Sequence, residues 1–319
     1  MRLHRLKTLI QGNKFVLCMA YVALDTAQGL MSTLGWTKAD NGAAHANMDL
    51  QSSLDYVEEV YGDYIQYAGI KHFSGTIVEI GPGDNFGVSL LMLQNGAQEV
   101  FAIDRFYSRR DESYQNKIYQ TLSDKYGMAD LFDGAPSEKN ISNLNYKYGQ
   151  PAETFFETSP QTYDAVVSRA VFEHLFAPIK ALSDATTQMN PGGCQVHEID
   201  LRDHGMFQGH HPLTFLTVAQ NIYKMMTKNA GRPNRIMMNS YRDWLDKSGL
   251  EYEILIKGLV GCEEQFSPST WDCLDASLKA KAIRTVQEIR PHLSPEFNSV
   301  SDHDLAPSII VLVLKKNEK

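Results

Sequence analysis

The stretch Thr76-Ile-Val-Glu-Ile-Gly-Pro-Gly-Asp-Asn-Phe-Gly87 constrains the fold more than any other part of the chain. Thr76 to Ile80 is a short run dominated by β-branched apolar residues, the composition of a central strand buried on both faces. It runs directly into a turn that holds Gly81 and Gly83, with Gly87 just beyond. Residues without a Cβ let the chain reverse sharply and leave bare backbone for a ligand, and a glycine one turn later lets the next helix approach closely. The spacing is G-x-G-x-x-x-G, one residue longer than the dinucleotide fingerprint, and Glu79 stands two places before the first glycine. Taken alone, the pattern also fits an ordinary strand-to-helix connection in any α/β protein.

A second strand narrows the reading. Glu99-Val-Phe-Ala-Ile-Asp104 is apolar and ends on a carboxylate 25 positions after Glu79. In a doubly wound sheet that end lies beside the first turn, where a carboxylate can accept two hydrogen bonds from a ribose diol. Val78 to Gly87 together with Asp104 resembles the first motif of the class I S-adenosylmethionine-dependent methyltransferases. The resemblance implies an α/β fold with a doubly wound, mostly parallel seven-stranded sheet and an antiparallel last strand; N-terminal helices and a helical insertion before that strand are expected from the chain's own pattern outside it. The resemblance also implies S-adenosylmethionine as cofactor, with Glu79, Gly81, Pro82, Gly83, Asp104 and Arg105 around it. After a third strand, Leu144 to Tyr148, Ala152 and Glu153 are similar to the family's adenine-contacting turn, although Pro151 stands where an aspartate is common. Tyr163 to His174 resembles the fourth motif and adds Ser168 and Arg169 to the expected cofactor contacts. It has no N-P-P-Y or D-P-P-Y, which nucleic-acid amino-methyltransferases carry at this point. Glu173 and His174 stay open between a chemical role and orientation of the turn.

Composition bounds the partners. The chain has 319 residues, of which 43% are hydrophobic, enough for one large core with decorations. Its net charge of -8 gives no global positive field to draw in nucleic acid or an anionic membrane. Neither is an expected partner. Cys18, Cys194, Cys262 and Cys273 form no C-x-x-C pair and read as buried thiols in a reducing, cytoplasmic compartment.

In domain terms, residues 1–72 read as an N-terminal helical segment and 73–319 as a Rossmann-like domain with insertions near 105–143 and 258–306. The basic start (Arg2, Arg5, Lys7, Lys14) precedes an apolar run from Phe15 to Leu24 that is too short to span a bilayer. That run is expected to be a helix packed on the main domain or on a second copy of the chain. Residues 36–53 read as a loop, and Leu54 to Tyr67 as a helix with an apolar stripe. Arg105, Arg109 and Arg110 beside Asp111 read as a solvated helix start. Pro212 to Lys228 predicts one long amphipathic helix, with Met225, Met226, Met237 and Met238 as core or pocket lining. Ser240 predicts an N-cap, and Thr270 to Arg290 a further helix.

The fifth strand, Cys194 to Ile199, leads into Asp200-Leu-Arg-Asp-His204, with His210 and His211 beyond. Residues just past the carboxyl ends of strands meet ligands in open α/β sheets. His204, supported by Asp200 or Asp203, is therefore the expected general base for a hydroxyl acceptor. The bland alternative is a loop in which Arg202 pairs with a carboxylate. No spacing here is diagnostic of a metal, and none is expected. The reading is methyl transfer to a small molecule, with O-methylation ahead of N-methylation, and a non-catalytic S-adenosylmethionine-binding partner or sensor as the rival. A nicotinamide oxidoreductase would share the strand and turn but calls for G-x-G-x-x-G.

Overall fold

A computed structural model describes residues 12–34 and 44–318. Arg2, Arg5, Lys7 and residues 36–43 of the expected polar loop lie outside these residues. Helices α1 (Lys14–Thr33) and α2 (Leu50–Ala68) come first. Strands and helices then alternate as β1 (Gly75–Ile80), α3 (Gly87–Gln94), β2 (Ala97–Asp104), α4 (Glu112–Tyr126), β3 (Leu144–Tyr148), α5 (Ala152–Thr158), β4 (Tyr163–Arg169), α6 (Pro178–Thr187) and β5 (Met189–Asp200). The remainder is α7 (Gln220–Thr227), α8 (Met238–Ser248), β6 (Glu251–Leu259), α9 (Ala276–Ile289), α10 (Asp302–Leu305) and β7 (Pro307–Lys315).

The seven strands form one sheet in the order β3-β2-β1-β4-β5-β7-β6. The first five pair in parallel, while β7 runs antiparallel to both β5 and β6. This is the doubly wound sheet with an antiparallel last strand that the sequence predicts. Side-chain alternation divides the core between its two faces: Ile310, Leu312 and Leu314 of β7 enter one cluster, Val311 and Val313 the other. Strands apolar on both faces have to be covered on both, which is why helices lie on each side.

Several local expectations give way to tertiary contacts. Residues 212–228 do not form one helix; a short 3-10 turn at Thr214–Thr217 is separated from α7 by extended backbone at Val218 and Ala219. The buried guanidinium of Arg235 takes the carbonyl oxygens of Phe215 and Val218, which a continuous helix would have kept. Helix α8 starts at Met238 with no side-chain cap, so Ser240 is not its N-cap. Helix α9 starts at Ala276, where Asp275 accepts from the backbone of Ser277 and Leu278. The loop before α2 ends earlier than expected because Asp49 caps it, accepting from Ser52 N at 2.8 Å. The fifth strand starts earlier than the expected Cys194, because residues 190–193 form an irregular start of β5 where the register against β4 shifts. Of the thiols, Cys18 and Cys194 are buried, but Cys273 is exposed. Of the four methionines, Met226, Met237 and Met238 belong to the core and Met225 is exposed.

Helix α1 packs along α7, and one buried side chain fixes the arrangement. Asp25 accepts from Asn229 N and Ala230 N, both at 3.0 Å, and pairs with Arg232 Nη1 at 3.1 Å. One carboxylate thus ties α1 to residues 229–232. Removing it takes the carboxylate away from these part-buried donors, of which Arg232 keeps Met226 O and Gln28 Oε1. Asp25→Ala is expected to cost about 2 to 3 kcal/mol in urea unfolding and to open residues 229–232 to proteolysis. Unchanged stability and cleavage would show that the clamp is dispensable.

Candidate active site

A cavity of about 600 Å³ opens at the carboxyl ends of β1, β2 and β4, where the strand order reverses. Gly81 and Gly83 line it with φ of 75° and 71°. A Cβ on Gly81 would stand 2.4 Å from Val171 Cγ2, so the turn and the loop after β4 approach as closely as backbone allows. Gly87 acts differently from expectation: a Cβ there would meet Val57 of α2 at 2.7 Å, so its smallness serves a helix contact rather than the strand.

The expected cofactor residues divide into those at the cavity and those behind it. Gly81, Pro82, Gly83, Asp104, Arg105, Ala152 and Arg169 line it. Burial pushes the Asp104 carboxyl up to about 7, with Arg110 opposing and Glu79 reinforcing the shift. Tyr146 Oη stands 3.4 Å from its Oδ2. Glu79 does not line the cavity. It is buried and accepts from the Ser89 hydroxyl, tying β1 to α3, and burial pushes its carboxyl up to about 7 against that hydrogen bond. Glu153 also stands behind the wall, accepting from Phe176 N at 2.9 Å, while Arg105 lies over the Phe176 ring, 4.1 Å from its centroid. Ser168 is fully buried with Oγ 2.8 Å from His197 Nδ1, so β4 turns it away from the ligand side. The Arg169 guanidinium is already held by Asp63 at 2.9 Å and Glu59 at 3.0 Å, a network that Lys257 and Glu198 complete.

Arg110 corrects the solvated-helix reading. It is buried between Phe86 and Tyr146, 4.5 and 4.4 Å from their ring centroids, and donates to Gly83 O at 2.8 Å. Only Arg109 of the three is exposed. The roof was not legible in the sequence. Tyr21 and Gln28 of α1, His45, Tyr56 and Arg232 all face the cavity. They arrive from distant segments, of which the Asp25 clamp joins only α1 to residues 229–232, and no local motif marks them.

His174 and His204 also face the cavity, with ring centroids 4.9 Å apart. His204 adopts φ of 50°, and Ala170, also on the wall, adopts 54°; strained backbone of this kind gathers at functional sites. His204 Nε2 lies 3.4 Å from Asp200 Oδ2 and 3.7 Å from Glu173 Oε1. Asp200 does not itself line the cavity. Burial acts to raise its carboxyl, but hydrogen bonds from Arg202 and His204 outweigh this and hold it well below the usual carboxylate range. Arg202 grips it through Nε at 2.8 Å and Nη2 at 2.6 Å. Asp203 is a turn former, accepting from Gly205 N and Phe207 N at 3.0 and 2.8 Å, and not a wall residue. His211 is likewise structural, with Nε2 2.9 Å from Thr285 O. Burial, together with nearby His204, pushes the His174 imidazole down to about 4. Glu173, which the sequence left open, sits directly behind the two histidines.

A seven-stranded sheet of this order, with a glycine turn and a strand-end acid at its switch point, defines the class I methyltransferase fold. Residues 54–254 match the family model described as a methyltransferase domain, and the chain belongs to that family. Among solved structures, it is similar to a SAM-dependent methyltransferase from Archaeoglobus fulgidus, at 14% identity and TM-score 0.43, covering 82% of this chain and 94% of that one. It is also similar to a putative sarcosine dimethylglycine methyltransferase from Galdieria sulphuraria, at 14% identity and TM-score 0.42, covering 92% and 99% of the two chains. No curated protein matches the sequence.

The raised Asp104 carboxyl carries a pH dependence. Ionised Asp104 is the form that accepts from a ribose diol, and it is populated above about pH 7. S-adenosylhomocysteine is therefore expected to bind about tenfold more tightly at pH 8 than at pH 6 by calorimetry, with proton release near pH 7. Because the folded pKa lies above the unfolded one, the protein without ligand loses stability as pH rises through about 7. Asp104→Asn is expected to abolish the pH dependence of binding, weaken affinity, and raise Tm at pH 8 by about 2 to 4 °C. An unchanged S-adenosylhomocysteine affinity in Asp104→Asn at pH 8 would exclude Asp104 from the ribose site.

Proposed function

We propose that this methyltransferase uses S-adenosylmethionine to methylate a hydroxyl of a small molecule. The observation that carries the reading is a single cavity lined both by the Gly81–Gly83 turn with Asp104 and by His174 with His204. Its volume is in the range that holds drug-sized ligands. The sulfonium of S-adenosylmethionine supplies an electrophilic methyl group. The chain's own contribution is positional: the glycine turn gives room, Asp104 orients a ribose, and the far wall presents the acceptor in line.

In this reading His204 takes the acceptor's proton. With Nε2–H turned to Asp200, the imidazole is held in one tautomer, and its other ring nitrogen is left to act as base. Asp203 shapes the loop that brings His204 into place. The roof from α1 and residues 230–233 favours a small acceptor over a polymer, in agreement with the net charge of -8. A second reading, N-methylation of a small amine, is favoured by the Glu173 carboxylate beside the histidines, which suits a cation. No helix among the described residues is long and apolar enough to cross a membrane. Four thiols outside any disulfide support a reducing, cytoplasmic setting. Exposed Phe15 and Leu24 on α1 support contact with a second copy of the chain.

Calorimetric titration with S-adenosylmethionine, S-adenosylhomocysteine and NAD tests the cofactor. The two sulfur nucleosides are expected to bind and NAD is not; the reverse result overturns the reading. Acceptors are then screened by mass gain of one methyl group. His204→Ala is expected to lower kcat by about a hundredfold or more while S-adenosylhomocysteine affinity holds. Unchanged turnover would remove His204 from the chemistry, and absence of turnover with any acceptor would favour a non-catalytic binding role.

A further inference from the structure

We infer that Glu173, His174 and His204 form a binding site for one divalent transition-metal ion at the acceptor end of the cavity. The starting point is an unsatisfied group. Glu173 is 2% exposed, and neither of its carboxylate oxygens has a hydrogen-bond partner among the described residues. The backbone N–H groups of Glu173 and Asp200 soften its charge without reaching hydrogen-bond geometry. A buried carboxylate in this state calls for a proton or a cation.

The neighbours are suited to a metal ion. One ligand atom from each of the three residues lies within 4.8 Å of the others. Ligands about 2.1 Å from an ion stand roughly 3 to 3.4 Å apart, so the cluster needs a side-chain adjustment of about an ångström. His174 Nδ1 is 2.7 Å from Gly231 O, and because a carbonyl only accepts, Nδ1 carries the proton. Its Nε2 therefore keeps a lone pair. A ring N–H held by a backbone carbonyl is also the usual second support of a metal-bound imidazole. His204 Nε2 faces two carboxylates at once, Asp200 Oδ2 at 3.4 Å and Glu173 Oε1 at 3.7 Å, and one N–H serves two such acceptors poorly. An ion between His204 and Glu173 removes that conflict and leaves Asp200 to Arg202.

Two imidazoles with one carboxylate suit zinc, cobalt, manganese or iron rather than magnesium or calcium. Both histidines also line the cavity, so the open positions of the ion face the acceptor. This deepens the methyl-transfer reading and rests on it only for what the ion would hold. With the ion bound, His204 would be a ligand in place of the base role proposed above, and the acceptor hydroxyl, held on the ion, would give its proton to solvent. The sequence did not reveal the set because Glu173–His174 and His204 follow different strands, 30 positions apart.

The test uses the full chain, stripped with a chelator and titrated with Zn²⁺ and Co²⁺ by calorimetry, with the cobalt absorption recorded in parallel. S-adenosylhomocysteine binding is measured on the same samples. One ion per chain is expected, with affinity falling about a hundredfold or more in Glu173→Gln and in His174→Ala. The cobalt spectrum is expected to change in His204→Ala. Glu173→Gln keeps the side-chain volume, so it tests charge rather than packing. No stoichiometric binding, or equal binding by wild type and all three variants, overturns the proposal. Ion binding without S-adenosylhomocysteine binding supports the metal site and overturns the cofactor reading instead.

Discussion

The approach of Gly81 to Val171 is the contact on which the site depends. A Cβ at Gly81 would stand 2.4 Å from Val171 Cγ2, closer than nonbonded atoms approach. The sheet order forces the meeting, since β1 and β4 are neighbours in parallel register and both end at the switch point. The turn after β1 and the loop after β4 must therefore share one crevice. Only a residue without a side chain lets them do so while leaving space for a ligand.

Around that crevice the protein treats its buried charges in two ways. Glu198 and Asp63 are paired with Arg169 and Lys257 at 2.9 to 3.5 Å, forming a network that braces the sheet against α2. Asp104, Glu79 and Glu173 have no cation of comparable closeness among the described residues, and burial raises the pKa of all three. An unpaired buried carboxylate costs stability, and the cost is recovered when something binds to it. The contrast separates a supporting network from groups poised to meet a ligand, a proton or an ion.

The roof shows how distant segments complete the site. The apolar run from Phe15 becomes α1, and Asp25 in its middle collects donors from residues 229–232. The same segment supplies Gly231 O, which fixes the proton on His174 Nδ1. A residue in the first helix thus bears on the tautomer of a histidine facing the acceptor. The link passes through one loop backbone, with no direct contact between the two side chains.

What the sequence by itself determined was the part written in short-range pattern. The β-branched run before Gly81, the spacing of the glycines and the acid ending the next strand depend on neighbours a few residues away. They were enough to predict the sheet, its switch point, and Gly81, Gly83 and Asp104 at the cavity. Tertiary structure decided the rest. Ser168 and Glu153 sit at motif positions, yet strand orientation and backbone donors turn them away from the ligand side. Arg110 looked solvated because its aromatic partners, Phe86 and Tyr146, are remote in sequence. The 212–228 helix broke because Arg235 captured its carbonyls. The grouping of Glu173, His174 and His204 depends on β4 and β5 lying side by side, a distance in space that no local pattern encodes.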